Sequence, residues 1–354
     1  MKQHSDLNIM LQQLSQPAFL VEEGQIAAVN AAASACLVRE GQALSDLLIS
    51  GSAEYGDFET GSLFVTISLC GIQRDACVTR MDQMDLVVVD ETKSQEKLEV
   101  LALAARALRG PLSGLMTTSE EFFPAALEGK QDLAPKAAKM NRRLYQMLRI
   151  VGNMSDAVDF LYPSPMETIE ICGFFEEILQ KVTSLAAPTG AQLRYEIPNK
   201  NIFTLANPDK LERAMLNLLS NAIIHSKNGT EIHLQLTQKN HRLYISVSNV
   251  PVDGETLTDL HNRFLRMPGL EDPRHGIGLG MLLVQNVATI HNGAVLVDRV
   301  GQALRVTLSL PVKQGHSQLR SPIQLMDYAG ERDHCLIELS DVLPAEVYSP
   351  EKLK

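Results

Sequence analysis

Two long amphipathic segments between residues 93 and 162 constrain the fold more than any other feature of the chain. Apolar side chains recur there at intervals of three and four residues, and glycine and proline are few, which is typical of helices with one apolar face. The first set is Leu98, Leu101, Ala105, Leu108, Leu112 and Leu115, and the second is Leu133, Ala137, Met140, Leu144, Met147, Val151, Met154 and Val158. A turn at residues 127–132 separates the two sets, so the sequence predicts a helical hairpin.

A single hairpin of this kind leaves both apolar seams exposed. Two hairpins that pair into a four-helix bundle bury them, so we expect a homodimer. Pro111 lies inside the first helix, where it removes one backbone hydrogen bond and kinks the helix axis. The basic residues of the stretch 140–154 are interpreted as a solvated face of the second helix rather than as a site.

Residues 17–90 alternate between apolar and polar side chains with the period of a β-strand. The pattern predicts two short strands around Glu23 and Gly24, a short helix at 31–38 and three later strands. This order resembles a PAS sensor domain, and Asn30 stands where that family often has an asparagine. No side chain suited to attach haem or flavin is evident, so dimerisation or signal relay is favoured over cofactor binding for this region.

Residues 165–313 alternate helix-like and strand-like segments, which predicts an α/β sandwich with a mixed sheet and helices on one face. The net charge of −10 argues against general nucleic-acid binding. No stretch approaches the roughly 18 apolar residues of a membrane span, and the first residues lack the apolar core of a signal peptide. The five cysteines lack the spacing of metal ligands. We therefore expect a cytoplasmic protein.

Two short motifs carry the candidate chemistry. Asn217 and Asn221 are four residues apart on a predicted helix, so they share one face, which we expect to be accessible and able to offer oxygen to Mg²⁺. Gly276, Gly278 and Gly280 open a second helix, whose first N–H groups can bind an anion. Either motif alone is weak, because asparagine pairs are commonly solvated and glycine loops often serve only geometry.

The order of these motifs resembles the ATP-binding domain of sensor histidine kinases and the wider superfamily that includes DNA gyrase, HSP90 and MutL. Residues 262–266 resemble the phenylalanine box of these kinases, and residues 291–293 resemble the His-Gly-Gly that ends the second helix. Leu108, Arg109, Pro111 and Leu112 match the phrase His-Glu-Leu-Arg-x-Pro-Leu of the kinase hairpin. With the hairpin and the PAS-like region, the resemblance covers nearly the whole chain.

The resemblance implies ATP and Mg²⁺ as cofactors, with Asn221 as the Mg²⁺ ligand and a lid at about 267–275. The arginines of the phenylalanine box either support the lid and the γ-phosphate or are surface charge. The implied ATP-binding residues are Asn217, Asn221, Asn249, Arg263, Arg266, Gly276, Gly278 and Gly280.

The chain departs from the family at several of these positions. Asn249 replaces the aspartate that binds the adenine amino group, and Pro251 replaces the following glycine. A neutral amide still accepts a hydrogen bond but without charge assistance. Ile224 stands where the family often has lysine or arginine. These changes weaken the predicted contacts to the base while the phosphate end is kept.

The largest departure lies in the hairpin. Arg106 occupies the position of the phosphoacceptor histidine, and Ala107 occupies that of the neighbouring acid. A guanidinium has no lone pair to attack a phosphorus atom. Ser113 and Thr117 are interpreted as ordinary helix residues, because a hydroxyl needs an activating base and none is evident.

The sequence thus predicts an α+β multidomain protein. Its parts are a PAS-like sensor domain at 1–92, a helical hairpin at 93–162, an ATP-binding domain at 163–313 and a tail at 314–354. Within the tail, residues 334–343 are expected to form a strand or one helical turn without chemistry of its own.

Three functions compete at this point. In the first, the chain is a pseudokinase that binds ATP and regulates a response regulator or a partner histidine kinase. In the second, it is an active kinase or phosphatase that acts on a partner protein. In the third, it is a structural dimerisation module without nucleotide, which the combination of the glycines with both asparagines disfavours.

Overall fold

The computed structural model describes residues 2–81, 84–90, 134–159, 165–252, 279–313 and 332–353. It also describes six residues of the predicted first hairpin helix, which are Leu112, Ser113, Leu115, Met116, Thr117 and Ser119. The predictions for Arg106, Ala107, Pro111, the phenylalanine box and the lid lie outside these residues. No helix of the described part is long and apolar enough to span a membrane.

The N-terminal part follows the predicted order of two strands, short helices and three further strands. Its elements are α1 (Lys2–Gln13), β1 (Ala18–Glu22), β2 (Gln25–Val29), α2 (Ala31–Ala35), α3 (Ser52–Asp57), β3 (Ser62–Leu69), β4 (Ile72–Met81) and β5 (Met84–Val89). The strands pair in the order β2-β1-β5-β4-β3, all antiparallel. The buried Asn30 caps α2, and its oxygen accepts from the amides of Ala18 (3.1 Å) and Ala33 (2.9 Å). This side chain therefore fixes the start of α2 against β1.

The second part contains the predicted sandwich. Its elements are α4 (Ala134–Asp159), β6 (Glu167–Glu170), α5 (Ile171–Ala186), β7 (Gln192–Glu196), β8 (Phe203–Ala206), α6 (Pro208–His225), β9 (Glu231–Lys239), β10 (Arg242–Asn249), α7 (Leu279–Ile290), β11 (Ala294–Val300) and β12 (Ala303–Pro311). The sheet order is β11-β12-β10-β9-β7, and β7 pairs in parallel with β9 while the other pairs are antiparallel. The α+β class and the mixed sheet are thereby confirmed, whereas the two-stranded sheet of β6 and β8 was not predicted.

The two parts share one ten-stranded sheet, because β3 pairs with β11. Gly61 lies at this junction with a φ of +94°, and a Cβ added there would lie 2.2 Å from the carbonyl oxygen of Val297. A side chain at this position would separate the two edges. Beside the junction, Glu54 of α3 is buried and pairs with Arg242 of β10. The N-terminal part thus contacts the sandwich through both backbone and side chains.

The described hairpin residues pack only partly as the sequence predicts, because Leu115 of the first seam is 56% exposed and Met116, outside that seam, is buried. Leu112 and Met116 are buried in the same apolar cluster as Leu144 and Leu148 of α4. The hydroxyl of Ser119 donates to the side-chain oxygen of Asn141 at 2.9 Å. Along the seam of α4, however, two members remain on the surface, since Met140 is 46% exposed and Met147 is 48% exposed. Pairing with a second hairpin stays a prediction for this face.

The C-terminal residues 332–353 are part of the core. They form a helical turn, α8 (His334–Glu338), and a 3-10 turn, Ala345–Tyr348, which lie against α4, α5 and α6. Tyr348 is fully buried, its ring lies 5.0 Å from that of Tyr145, and its hydroxyl donates to the carbonyl of Leu336 at 2.7 Å. Of the two predicted forms of this segment, the helical turn is the one observed.

This packing corrects the interpretation of the basic face of α4 as solvated. Arg149 is only 6% exposed, and Arg142 donates to the carbonyl oxygens of Ser340 (3.0 Å) and Asp341 (2.8 Å). A prediction from hydrophobic periodicity alone assigns every charged side chain to the surface. Here the arginines lie inside because the tail brings carbonyl and carboxylate oxygens to them.

Candidate nucleotide-binding site

The two helices that carry the predicted motifs lie side by side in opposite directions. α6 begins at Pro208 because Asn207 caps it, with the side-chain oxygen accepting from the amide of Lys210 at 3.0 Å. At this end the amide of Asn207 donates to Nε2 of His291, just beyond α7, at 2.9 Å. At the other end Asn221 contacts Met281, at the start of α7. The N-terminus of α7 therefore lies beside the half of α6 that carries the asparagine pair.

His291 links these two helices by hydrogen bonds. Its Nδ1 lies 2.6 Å from the carbonyl of Val287, which only accepts, so Nδ1 carries the proton and Nε2 is free to accept from Asn207. Burial lowers the pKa of His291 below its ordinary value. The neutral ring thus fixes the end of α7 to the start of α6.

Gly280 is the described member of the predicted glycine loop, and it lies directly against Asn217. A Cβ added to Gly280 would lie 2.5 Å from the side-chain oxygen of Asn217. Only glycine permits so close an approach of the helix backbone to that amide. The structure therefore brings these two predicted site residues together, whereas Gly276 and Gly278 lie outside the described residues.

Asn221 is half-buried, and its amide is only weakly engaged. Nδ2 donates to the thioether sulfur of Met281 at 2.9 Å, and sulfur is a weak acceptor. Within the described part of the chain, its oxygen accepts no hydrogen bond. A half-buried amide oxygen beside a helix N-terminus fits the predicted role of a Mg²⁺ ligand.

Asn249 ends β10, next to the C-terminal end of α6. The residues that follow it are tied to that helix end, since Lys227 donates to the carbonyl of Val250 (2.9 Å) and Val252 donates to the carbonyl of His225 (3.0 Å). The buried Nδ2 of Asn249 has no hydrogen-bond partner among the described residues. An unsatisfied buried amide costs about 1–3 kcal/mol, which an acceptor on a bound base would recover. The unsatisfied atom is a donor, so it suits a ring nitrogen of adenine, whereas the prediction was that Asn249 accepts from the adenine amino group.

Asn217 differs from the prediction, because it is fully buried and not on an accessible face. Its Nδ2 donates to the carbonyl of Arg213 (2.9 Å) and to Oε2 of Glu338 (3.2 Å), and its oxygen accepts from Nη2 of Arg149 (3.2 Å). The helix periodicity places it on one face with Asn221 correctly. The tail covers this part of the face, which the local pattern does not indicate.

Asn217 belongs to a buried charged group, here called the tail cluster, made of Arg149, Arg213, Asn217 and Glu338. Glu338 is fully buried, and Arg149 and Arg213 are 6% and 4% exposed. Oε1 of Glu338 lies 2.9 Å from Nε of Arg213, and Oε2 lies 3.3 Å from Nε of Arg149. Charges this deeply buried persist only when they are paired, as they are here.

Sequence reasoning missed the tail cluster altogether. Glu338 stands inside the apolar run Cys335–Leu339, and a single acid among buried side chains was the available signal. Its partners come from α4 and α6, which are distant in the sequence. The predicted contacts of Arg263 and Arg266 lie outside the described residues, as do the lid and the hairpin position of Arg106.

The sequence was compared with known protein families and proteins. Residues 206–314 match the family of histidine kinase-, DNA gyrase B- and HSP90-like ATPases. Sensor histidine kinase WalK of Bacillus subtilis is 23% identical over 249 residues, which cover 66% of this chain and 40% of WalK. Adaptive-response sensory kinase SasA of Parasynechococcus marenigrum is 23% identical over 244 residues, which cover 67% of this chain and 62% of SasA. The chain thus spans less than two thirds of these relatives.

Similar solved structures include full-length ShkA in complex with AMPPNP, with 19% identity and a TM-score of 0.47. That match covers 63% of this chain and 47% of ShkA. Histidine kinase ThkA in complex with response regulator protein TrrA has 12% identity and a TM-score of 0.42, covering 86% of this chain and 98% of the matched chain.

Proposed function

We propose that this chain is a pseudokinase of the sensor histidine kinase family, which binds ATP with Mg²⁺ and regulates a response regulator or a partner kinase. The proposed binding of ATP depends on one observation. The N-terminus of α7, the half-free amide of Asn221 and the unsatisfied amide of Asn249 all lie around the C-terminal half of α6.

Each of these groups suits one part of the nucleotide. The first N–H groups of α7 and its helix dipole favour the phosphates, and Gly280 keeps the backbone accessible. The oxygen of Asn221 suits Mg²⁺, which prefers oxygen ligands. The amide of Asn249 suits an acceptor of the adenine ring. Bound ATP would bring a transferable γ-phosphoryl group to this site.

The hairpin sequence supports the pseudokinase part of the proposal, which is that no phosphoryl group is transferred to a histidine of this chain. Arg106 and Ala107 supply neither a nucleophile nor a base, and the sequence has no histidine between His4 and His225. The hydroxyl of Thr117 donates to the carbonyl of Ser113 at 3.2 Å, as expected of an ordinary helix residue. A shift in register therefore does not restore an acceptor.

A regulatory role requires a surface for other proteins. The exposed Met140 and Met147 continue the apolar seam of α4, which supports the predicted homodimer. The retained residues Leu108, Arg109, Pro111 and Leu112 suggest a docking surface and hinge kept from the kinase hairpin. We expect a response regulator or a partner histidine kinase to bind there, in the cytoplasm.

The test is to incubate the purified full chain with γ-labelled ATP and Mg²⁺, alone and with candidate response regulators or kinases, and to measure nucleotide binding in parallel. We expect binding without labelling of this chain. Acid-labile label on the chain would contradict the proposal. Label or phosphate loss on the partner would favour the active kinase or phosphatase. A lack of binding that is unchanged in Asn221→Ala would favour the structural module.

A further inference from the structure

We propose that Arg149, Arg213 and Asn217 form an anion subsite for a nucleotide phosphate, which Glu338 of the tail occupies in the structure. The tail would then compete with ATP for the site. This inference rests on the proposed nucleotide binding and adds two binding residues and a form of regulation to it.

The side-chain amide of Asn217 is already saturated with hydrogen bonds. Both N–H donors of its amide are used, by Arg213 and Glu338, and its oxygen accepts from Arg149. A side chain with these contacts has no donor left for a nucleotide. If Asn217 binds a phosphate, as the family resemblance implies, Glu338 must first leave.

The groups around Glu338 have the chemistry of an anion-binding site. Two guanidinium groups and an amide donor converge on one carboxylate, and guanidinium groups bind carboxylate and phosphate oxygens with the same fork geometry. Buried arginines without a counter-charge are strongly unfavourable. Removal of Glu338 leaves Arg213 without that carboxylate and Arg149 with only the carboxylate of Asp341, so the vacated space favours another anion.

The subsite also lies beside the N-terminus of α7. Gly280, at the start of α7, lies against the oxygen of Asn217, so the subsite adjoins the helix N-terminus that suits phosphates. The helix and the two arginines favour the same kind of ligand from adjacent sides. A nucleotide phosphate fits both, whereas an isolated carboxylate uses only one.

The tail is held in place by contacts of Arg142, which lie apart from the subsite, and by Asp341, whose carboxylate also pairs with Arg149 of the subsite at 2.6 Å. Arg142 donates to the carbonyl oxygens of Ser340 and Asp341, and Gln146 donates to the carboxylate of Asp341 at 3.1 Å. Both side chains are half-buried on α4. Loss of the Arg142 contacts weakens docking of the tail but leaves Arg149, Arg213 and Asn217 intact. This separation makes it possible to weaken the competitor without changing the subsite.

The experiment is a titration of the full chain with Mg²⁺–AMPPNP, by calorimetry, for four variants and the unchanged chain. Glu338→Gln removes the competing charge and should bind about tenfold more tightly. Arg142→Gln loosens the tail and should bind a few-fold more tightly, about 0.5–1 kcal/mol in free energy. Arg149→Gln removes a guanidinium group of the subsite together with its tail contact to Asp341, and it should bind more weakly because the nucleotide loses that group in the bound state. Arg143→Gln is the matched control, since Arg143 is exposed on the same helix, and it should bind as the unchanged chain does.

Opposite changes in affinity for Arg142→Gln and Arg149→Gln are the decisive result, because general destabilisation would shift both in the same direction. Equal affinities in all five proteins would overturn the subsite while leaving nucleotide binding established. A lack of binding in all five would overturn the proposed function and the competition together. Thermal unfolding of each variant identifies any that fails to fold, and Arg142→Gln, outside the buried cluster, then decides the competition.

Discussion

Two consecutive turns of α6 carry the same residue, yet they have different environments. Asn217 is fully buried and makes three hydrogen bonds to Arg213, Glu338 and Arg149, whereas Asn221 is half-buried and donates only to a sulfur. The helix repeat gives both the same direction. The difference comes from the tail, which covers one turn and not the other. Residue type and spacing thus indicate a site, and contacts from a distant segment determine which of its side chains is available to a ligand.

The largest effect is expected from removing the carboxylate of Glu338, which contacts Asn217. Glu338→Ala leaves the buried Arg213 without the carboxylate of Glu338 and Arg149 with only that of Asp341, so it should lower the free energy of unfolding by about 3–5 kcal/mol. The measurement is urea unfolding followed by far-UV circular dichroism, because the chain has no tryptophan. Glu346→Ala, at an exposed position of the same tail, is the control and should change stability by less than about 0.5 kcal/mol. Equal losses in the two variants would show that the tail cluster is not formed.

The two asparagines themselves give the next test. Asn217→Ala removes three buried hydrogen bonds and should cost about 2 kcal/mol of stability. Asn221→Ala removes one bond to sulfur and should cost less than about 1 kcal/mol. For nucleotide binding the order should reverse, with Asn221→Ala losing the dependence of AMPPNP affinity on Mg²⁺. The same loss of stability in both variants would contradict the difference between the two turns.

A smaller effect is expected one turn beyond Asn221. Ile224 is 38% exposed, at the position where the family often carries a cation. Ile224→Lys should therefore raise affinity for AMPPNP a few-fold, by about 0.5–1 kcal/mol, with little change in stability. Val300→Lys adds the same charge at a position that is 50% exposed, on β11, and serves as the control. A similar gain in both variants would indicate general attraction of the anion instead of a local contact.

The smallest expected effect concerns the opposite end of α6, where His291 accepts from the amide of Asn207. Burial lowers its folded-state pKa below the unfolded value of about 6.5. Below that pH the unfolded chain binds a proton that the folded chain does not, so the free energy of unfolding should fall as the pH is lowered. Urea unfolding at several pH values between about 7 and 5 measures this slope, which should be shallower in His291→Gln. The same slope in His291→Gln as in the unchanged chain would show that the ring of His291 titrates normally in the folded protein.

The sequence was sufficient where a local pattern determines the structure. The spacing of Asn217 and Asn221 was assigned to a helix, and both lie on α6. The resemblance to the kinase family implied that Gly280 and Asn217 share one site, and they lie against each other in the structure. It was insufficient where distant segments meet. Glu338 is 121 residues from Asn217, and nothing near either one indicates their contact.

The same limit explains the other differences. The arginines of α4 were taken as solvated because periodicity treats a charged side chain as exposed, and the carboxylate that pairs with Arg149 comes from the tail. The pairing of β3 with β11 was not predicted either. Alternation along a strand shows which face is buried but does not specify the partner of its edge.

If the tail competes with the nucleotide, the two exclude each other at Asn217. Amide hydrogen exchange of residues 334–348 in the full chain, with and without saturating Mg²⁺–AMPPNP, tests it directly. We expect the nucleotide to increase exchange in this segment, with a smaller increase in Arg149→Gln at the same nucleotide concentration. Unchanged or stronger protection of the tail at full nucleotide occupancy would contradict the claim.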